Sequence, residues 1–191
     1  MIFGITRQEL VATFGEDRIR LVPREAAEAV GVGGETLRFL SEIGLPENEF
    51  ISFAGAEGTS TALRKVAVHE LGGTWDLPPG ASDWIMLGNF EISAVVLDAR
   101  SGEVHQLAEG IMRPIPLHGD VSSLVYTVCQ LTRLVQGLPE DYDEDEEFLE
   151  ELEGTVDALK RSIAAQDPRP FGHEYSEWVE IFTSIGAGTR G

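Results

Sequence analysis

The stretch that leaves this chain the fewest choices runs Trp84-Ile-Met-Leu-Gly-Asn-Phe-Glu-Ile-Ser-Ala-Val-Val-Leu-Asp-Ala-Arg-Ser-Gly-Glu-Val-His-Gln-Leu107. It reads as three strands. Trp84 to Leu87 is short and apolar. Ile92 to Leu97 is rich in β-branched residues, which suit a pleated, half-buried surface. Asp98-Ala-Arg-Ser-Gly102 is a tight turn, because an aspartate can bond its own backbone ahead and a glycine accepts positive φ. Glu103 to Leu107 then mixes polar and apolar residues, with Val104 and Leu107 on opposite faces. The spacing predicts an antiparallel meander around which flanking helices pack. No catalytic motif falls within it.

The rest of the chain divides into short elements. Thr6 to Phe14 is a helix, with Thr6 as cap, Glu9 three residues on, and Leu10, Val11 and Phe14 on one side. Ile19 to Val22 is a strand stopped by Pro23. Arg24 to Val30 is a turn or two of helix, broken by Gly31-Val-Gly-Gly34. Thr36 to Ile43 is a short helix capped by Gly44 and stopped by Pro46. Phe50 to Phe53 is a strand. Leu63 to Val68 is read as a strand, although a helix fits almost as well. Met112 to Leu117 contains Pro114 and Pro116, which restrict it to an edge strand or a loop.

Two stronger helices follow. Ser122 to Gln136 aligns Leu124, Val128, Leu131 and Val135, with Ser122 or Asp120 as cap and Gly137 as stop. Phe148 to Ile163 aligns Phe148, Leu152, Val156, Leu159 and Ile163, with Gly154 as an exposed weak point. After a turn at Gln166-Asp-Pro168, a last helix from about Glu174 to Ile185 packs Trp178, Phe182 and Ile185. The expected core includes Ile92, Val95, Leu97, Leu124, Val128, Leu131, Leu152 and Trp178. The class is α+β, with a mainly antiparallel central sheet flanked by N- and C-terminal helices. The expected organisation is one domain over 1–191. Within it, 138–185 form an acidic loop and helical extension packed on the sheet, and 186–191 form a flexible tail.

Charge narrows the function. The chain of 191 residues carries 33 acidic against 14 basic side chains, a formal charge of −19. Such a surface repels nucleic acid phosphates and attracts basic partners, so direct DNA or RNA binding is not expected. No apolar run approaches the ~18 residues of a membrane span, and the first ten residues lack a signal peptide's apolar stretch. A cytoplasmic location without membrane association is expected. The single cysteine, Cys129, excludes an internal disulfide and multi-cysteine metal sites; in its apolar run it reads as a small buried hydrophobe.

Candidate chemistry is sparse. His69, His105, His118 and His173 lie in separate segments, which argues against a metal site and for surface or turn positions. Gly31-Val-Gly-Gly34 follows a helix-like stretch and lacks a phosphate loop's Lys-Ser or Lys-Thr, so it reads as a helix break. No serine stands in a nucleophile elbow. No cofactor is expected, and oligomeric state is not legible. The notable charge feature is residues 140–153, where ten of fourteen residues are acidic and none is basic. It reads either as a solvated loop and first helical turn or as a docking surface for a basic partner. Trp75 and Trp84 flank a loop with Asp76 and Asp83; tryptophans serve both packing and interaction hot spots. The candidate partner-binding residues are therefore Trp75, Asp76, Asp83, Trp84, Asp141, Asp143, Glu144, Asp145 and Glu146.

Several of these segments together resemble a known family. Leu40-Ser-Glu-Ile-Gly-Leu-Pro46 followed by the strand Phe50 to Phe53 resembles the opening of the SUKH superfamily of bacterial immunity proteins, in particular its fourth subgroup. Val95-Val-Leu-Asp-Ala-Arg-Ser-Gly-Glu-Val104 resembles that superfamily's central leucine–aspartate…glycine–x–valine hairpin. Ser122-Ser-Leu124 entering an apolar helix resembles its next element. Members usually carry an asparagine before those serines; Val121 stands here, which implies a different helix cap. Trp178 in a terminal helix after Asp167-Pro168 is similar to the fourth subgroup. The resemblance spans roughly residues 6 to 185. It implies an α+β protein that binds and neutralises a cognate polymorphic toxin, often a nuclease or a nucleic-acid deaminase. It supplies no shared catalytic residues. A regulatory interaction module with another partner and a small cytoplasmic enzyme are the alternatives. A cleft holding a perturbed carboxylate or histidine pair would favour the enzyme.

Overall fold

A computed structural model describes residues 1–54, 63–68, 71, 74–139 and 146–189. Helix α1, Arg7–Phe14, begins at the expected capping box: Thr6 Oγ1 accepts from the Glu9 N–H, and the Glu9 carboxylate accepts from the Thr6 N–H. Strand β1 is Ile19–Arg20, and helix α2 is Arg24–Ala29. Helix α3, Gly34–Arg38, runs into a π turn at Phe39–Ile43. Gly44 ends that turn at φ 94°, where a Cβ would lie 2.7 Å from the Arg20 carbonyl oxygen. Pro46 does more than stop the helix: Leu45–Pro46 forms β2, antiparallel to β1.

The main sheet contains β3 (Ser52–Phe53), β4 (Arg64–Lys65), β5 (Ile85–Asn89), β6 (Ser93–Leu97), β7 (Val104–Ala108) and β8 (Ile115–His118). The order is β3-β5-β6-β7-β8, all antiparallel, with β4 also on β5. The meander from Trp84 to Leu107 is therefore its centre. Gly88 sits where β3 crosses closest; a Cβ there would meet the Ser52 oxygen at 2.5 Å. Pro116 lies in β8 at the sheet's edge, where a missing N–H is tolerated.

The sheet is covered on both faces. Ile85, Leu87, Val95, Leu97 and Val104 enter the main core with Leu117 and the helices. Val96 and Leu107 point the other way, into a small second core with Val66, Ala81 and Trp84. Val104 and Leu107 thus take opposite faces, as the period of two requires.

Helix α4, Val121–Gln136, is the central helix, and residues on most of its circumference are buried. Asp120 is its cap, accepting from the Ser123 N–H at 3.0 Å, and it also accepts from the Ile2 N–H at 2.6 Å. That aspartate is the different cap expected with Val121 ahead of the serines. Cys129 is buried, with its sulfur 3.3 Å from Thr13 Oγ1. Helix α5, Glu146–Ala164, buries Leu152, Val156 and Ile163, and leaves Gly154 exposed. Helix α6 is Glu177–Gly186, later than expected, because residues 173–176 form a turn closed by Ser176 N–H to the His173 oxygen. Its C-terminal end reaches into the glycine-rich stretch read as tail: Gly186 is buried, and the Ala187, Gly188 and Thr189 N–H groups donate back to the helix.

One expected core residue is misplaced. Ile92 is 73% exposed, whereas Val95, Leu97, Leu124, Val128, Leu131, Leu152 and Trp178 are buried. The strand begins at Ser93, and Ile92 belongs to the β5–β6 turn, where Phe90 takes the inward position.

Candidate partner-binding surface

The residues around Trp75 and Trp84 gather on the outer side of the sheet. Trp84 is only 4% exposed and stacks on His105, with ring centroids 4.7 Å apart and planes 5° from parallel. Its indole holds the 74–84 segment to the sheet and is not displayed. Trp75 is half-buried, and its Nε1 donates to the Leu71 oxygen at 3.4 Å. Asp76 is exposed, and its backbone N–H donates to the Met112 oxygen. Asp83 accepts from Lys65 Nζ at 2.8 Å and from Arg100 at 2.6 Å. Lys65 first, then Arg100, holds its carboxyl below the usual range. Two cations therefore already neutralise this acid.

The described part of the acidic run, from Glu146 on, lies elsewhere. Asp141, Asp143, Glu144 and Asp145 fall outside the described residues. Glu146 opens α5 and is exposed, as are Glu147, Glu150, Glu151 and Glu153. Carboxylates in that first turn complement the helix dipole. Helix α5 packs into the main core, whereas Trp84 packs into the outer one. The structure thus brings Trp75, Asp76, Asp83 and Trp84 together and leaves Glu146 on the other side of the sheet.

A polar cluster that the sequence does not advertise lies between β8, α4 and α6. His118 is fully buried, contrary to the expected surface or turn position. Trp178 Nε1 donates to His118 Nε2 at 2.7 Å. That bond makes Nε2 an acceptor, so the ring proton sits on Nδ1. His118 Nδ1 then donates to Ser123 Oγ at 2.9 Å, and Ser123 donates to Asp167 Oδ2 at 2.6 Å. The Gly119 N–H also donates to Asp167 Oδ2, at 2.8 Å. Arg169 spans Asp167 and Glu103, with its closer contact to Glu103 at 2.9 Å.

Serine, histidine and aspartate in contact invite a catalytic reading, which the geometry refuses. A Ser-His-Asp triad needs the serine on one imidazole nitrogen and the acid on the other. Here Ser123 and Asp167 share Nδ1, the indole occupies Nε2, and none of these side chains is exposed. Burial pushes the His118 imidazole below its ordinary value, with Asp167 only partly opposing. Burial alone would raise Asp167, but hydrogen bonds from His118, Ser123 and Gly119 outweigh it and hold the carboxyl far below the carboxylate range. The result is a neutral imidazole and a satisfied carboxylate that lock three elements together. Asp167-Pro168 was legible as a turn, but a lone aspartate gives no sign of the histidine it will meet.

The profile of the SUKH-4 immunity protein family matches residues 5–184. The chain belongs to the SUKH-4 immunity protein family. The match spans both the outer core around Trp84 and the buried His118 cluster, so both are parts of the SUKH-4 region. No curated protein and no solved structure matches the chain. Membership supports an immunity role, with a toxin as the implied partner, and suggests a non-enzyme. Among the described residues no helix of this SUKH-4 chain is long and apolar enough to cross a membrane.

Proposed function

We propose that this protein neutralises a cognate toxin domain by binding it without turnover, in the cytoplasm. The profile match over residues 5–184 carries the proposal. The charge of −19 supports a basic partner, and a nuclease or nucleic-acid deaminase with a positive groove for phosphates fits that requirement. The acidic run 140–147 then steers encounter, whereas apolar contacts set the lifetime of the complex. Of the outer-face residues, Trp75 and Asp76 offer the accessible atoms, because Trp84 is committed to packing.

The test pairs the protein with the toxin domain encoded beside it. Co-expression should restore growth. The purified domains should bind with an association rate that falls as salt rises, since screening shortens charge reach to about 10 Å at ~0.1 M. Failure of both binding and rescue rejects the immunity role. Tight binding with salt-independent association keeps that role and removes the steering.

A further inference from the structure

The β5–β6 turn and the loop before α6 together expose two large side chains that a monomer has no use for outside. Ile92 is 73% and Tyr175 is 55% exposed. Ile92 lines two shallow clefts of about 250 and 230 Å³, and Tyr175 lines the second with it. Apolar groups gathered on one exposed face and rimmed by polar residues mark interaction sites, whereas singly scattered ones do not.

The backing of this face is rigid. Phe90 anchors the turn edge-on against Trp178, with centroids 5.2 Å apart. Ser93 Oγ donates to the Glu177 carboxylate at 2.8 Å. Gln106, 1% exposed, accepts from the Glu177 N–H at 3.0 Å and donates to the Tyr175 oxygen at 3.1 Å. The sheet therefore fixes the backbone on both sides of the patch before any partner arrives.

Charge identifies the occupant. Glu91, Glu109, Glu174 and Glu180 are exposed around the clefts, and among the described residues no lysine or arginine lines either one. Asp83 on the outer face differs, being paired with two cations. Carboxylates with no cation beside them among the described residues, set around a fixed apolar centre, repel one another until a cation arrives. A second copy of this chain would bring the same four glutamates and be repelled. Nucleic acid would be repelled likewise.

Resting on the immunity reading above, we infer that the toxin domain docks on this face, placing an apolar contact against Ile92 and Tyr175 and lysine or arginine side chains against the surrounding glutamates. The Trp75–Trp84 side and the acidic run are then secondary. The experiment measures binding of the catalytically inactivated toxin domain encoded beside this protein to wild type, Ile92→Asp, Tyr175→Ala, and Glu151→Gln on the exposed side of α5. Because Ile92 is exposed, its variant should melt with wild type; the expected loss of affinity is roughly 30-fold or more, the size of a hot-spot truncation. Glu151→Gln should bind as wild type does. The combined Glu91→Gln, Glu109→Gln, Glu174→Gln and Glu180→Gln variant should weaken the salt dependence of association more than the same number of changes on the exposed side of α5. If wild type binds and Ile92→Asp binds equally well, this face is overturned and the immunity role stands. If wild type does not bind, both fall. If sedimentation shows a self-dimer that Ile92→Asp dissolves, the toxin is the wrong occupant.

Discussion

Replacing Asp167 with asparagine should destabilise the fold by about 3 kcal/mol, a figure that follows from the hydrogen bonds it breaks. Asp167 Oδ2 accepts from Ser123 Oγ and the Gly119 N–H, and Oδ1 accepts from the Arg169 N–H and guanidinium. A carboxylate only accepts, whereas an amide carries one acceptor and one donor group. In either orientation the amide NH2 faces two donors. The cheaper orientation keeps the oxygen toward Ser123 and Gly119 and turns the NH2 toward Arg169, whose side chain is 38% exposed and can recruit water. The two retained bonds then lose their charge assistance, about 1 kcal/mol each, and the partly solvated arginine contact adds about 1 kcal/mol more. For a chain of this size that is a melting temperature lower by about 6–12 °C. Urea denaturation at pH 7 of both proteins, with equal slopes, reads the difference. A loss under about 0.5 kcal/mol, the range of ordinary surface changes, would refute the chain of bonds from Trp178 to Asp167.

The remaining expectations concern pH, core and surface. Burial holds His118 below its ordinary value, so its contribution is present in full above about 6.5, where the unfolded imidazole is also neutral, and is lost as pH falls further toward the folded value. The stability gap between wild type and His118→Gln should therefore shrink from pH 7.5 to pH 5 in denaturant melts; a widening gap would mean that the folded state holds an imidazolium, which the Trp178 donor forbids. Leu131→Ala, at a fully buried position, should cost about 2–5 kcal/mol, and a loss within surface range would show that α4 is not packed as described. Changing Asp143, Glu144, Asp145 and Glu146 to Asn or Gln should leave the melting temperature unchanged or slightly raised, because like charges repel; a large drop in calorimetry would mean that they satisfy internal donors.

The elements that sequence reveals are those whose signals are local. The box Thr6 to Glu9, the stop at Gly44 and the period of Leu124, Val128 and Leu131 each lie within a few residues, and each of these signals holds, although the helix before Gly44 starts at Gly34 and runs into a π turn. Ile92 escaped because an apolar residue before a β-branched run looks like its first member. The turn shifts it out, and only the pairing of Asn89 with Ala94 shows where β5 and β6 part. His118 escaped for the opposite reason. Nothing beside it in the chain signals burial, and its partners Asp167 and Trp178 come from 49 and 60 residues away respectively. Trp84 was visible as an aromatic in a loop, but whether such a ring packs inward or faces a partner depends on the strand beneath it, here the one carrying His105.

Helix α6 joins the two parts that matter. Glu177 and Trp178 are consecutive, yet one is held at the sheet by Ser93 and Gln106 and the other enters the core to meet His118. The first turn of this helix is therefore clamped from two directions, and Tyr175 lies just before it. An interface built on such a turn loses little conformational freedom on binding, so more of its contact energy appears as affinity. Loosening the clamp from inside, as Asp167→Asn does, leaves every surface atom of the Ile92 patch unchanged. Any affinity lost in that variant at high salt, where the missing charge is screened, and at a temperature where it stays folded would measure preorganisation, separate from the contacts that Ile92→Asp removes.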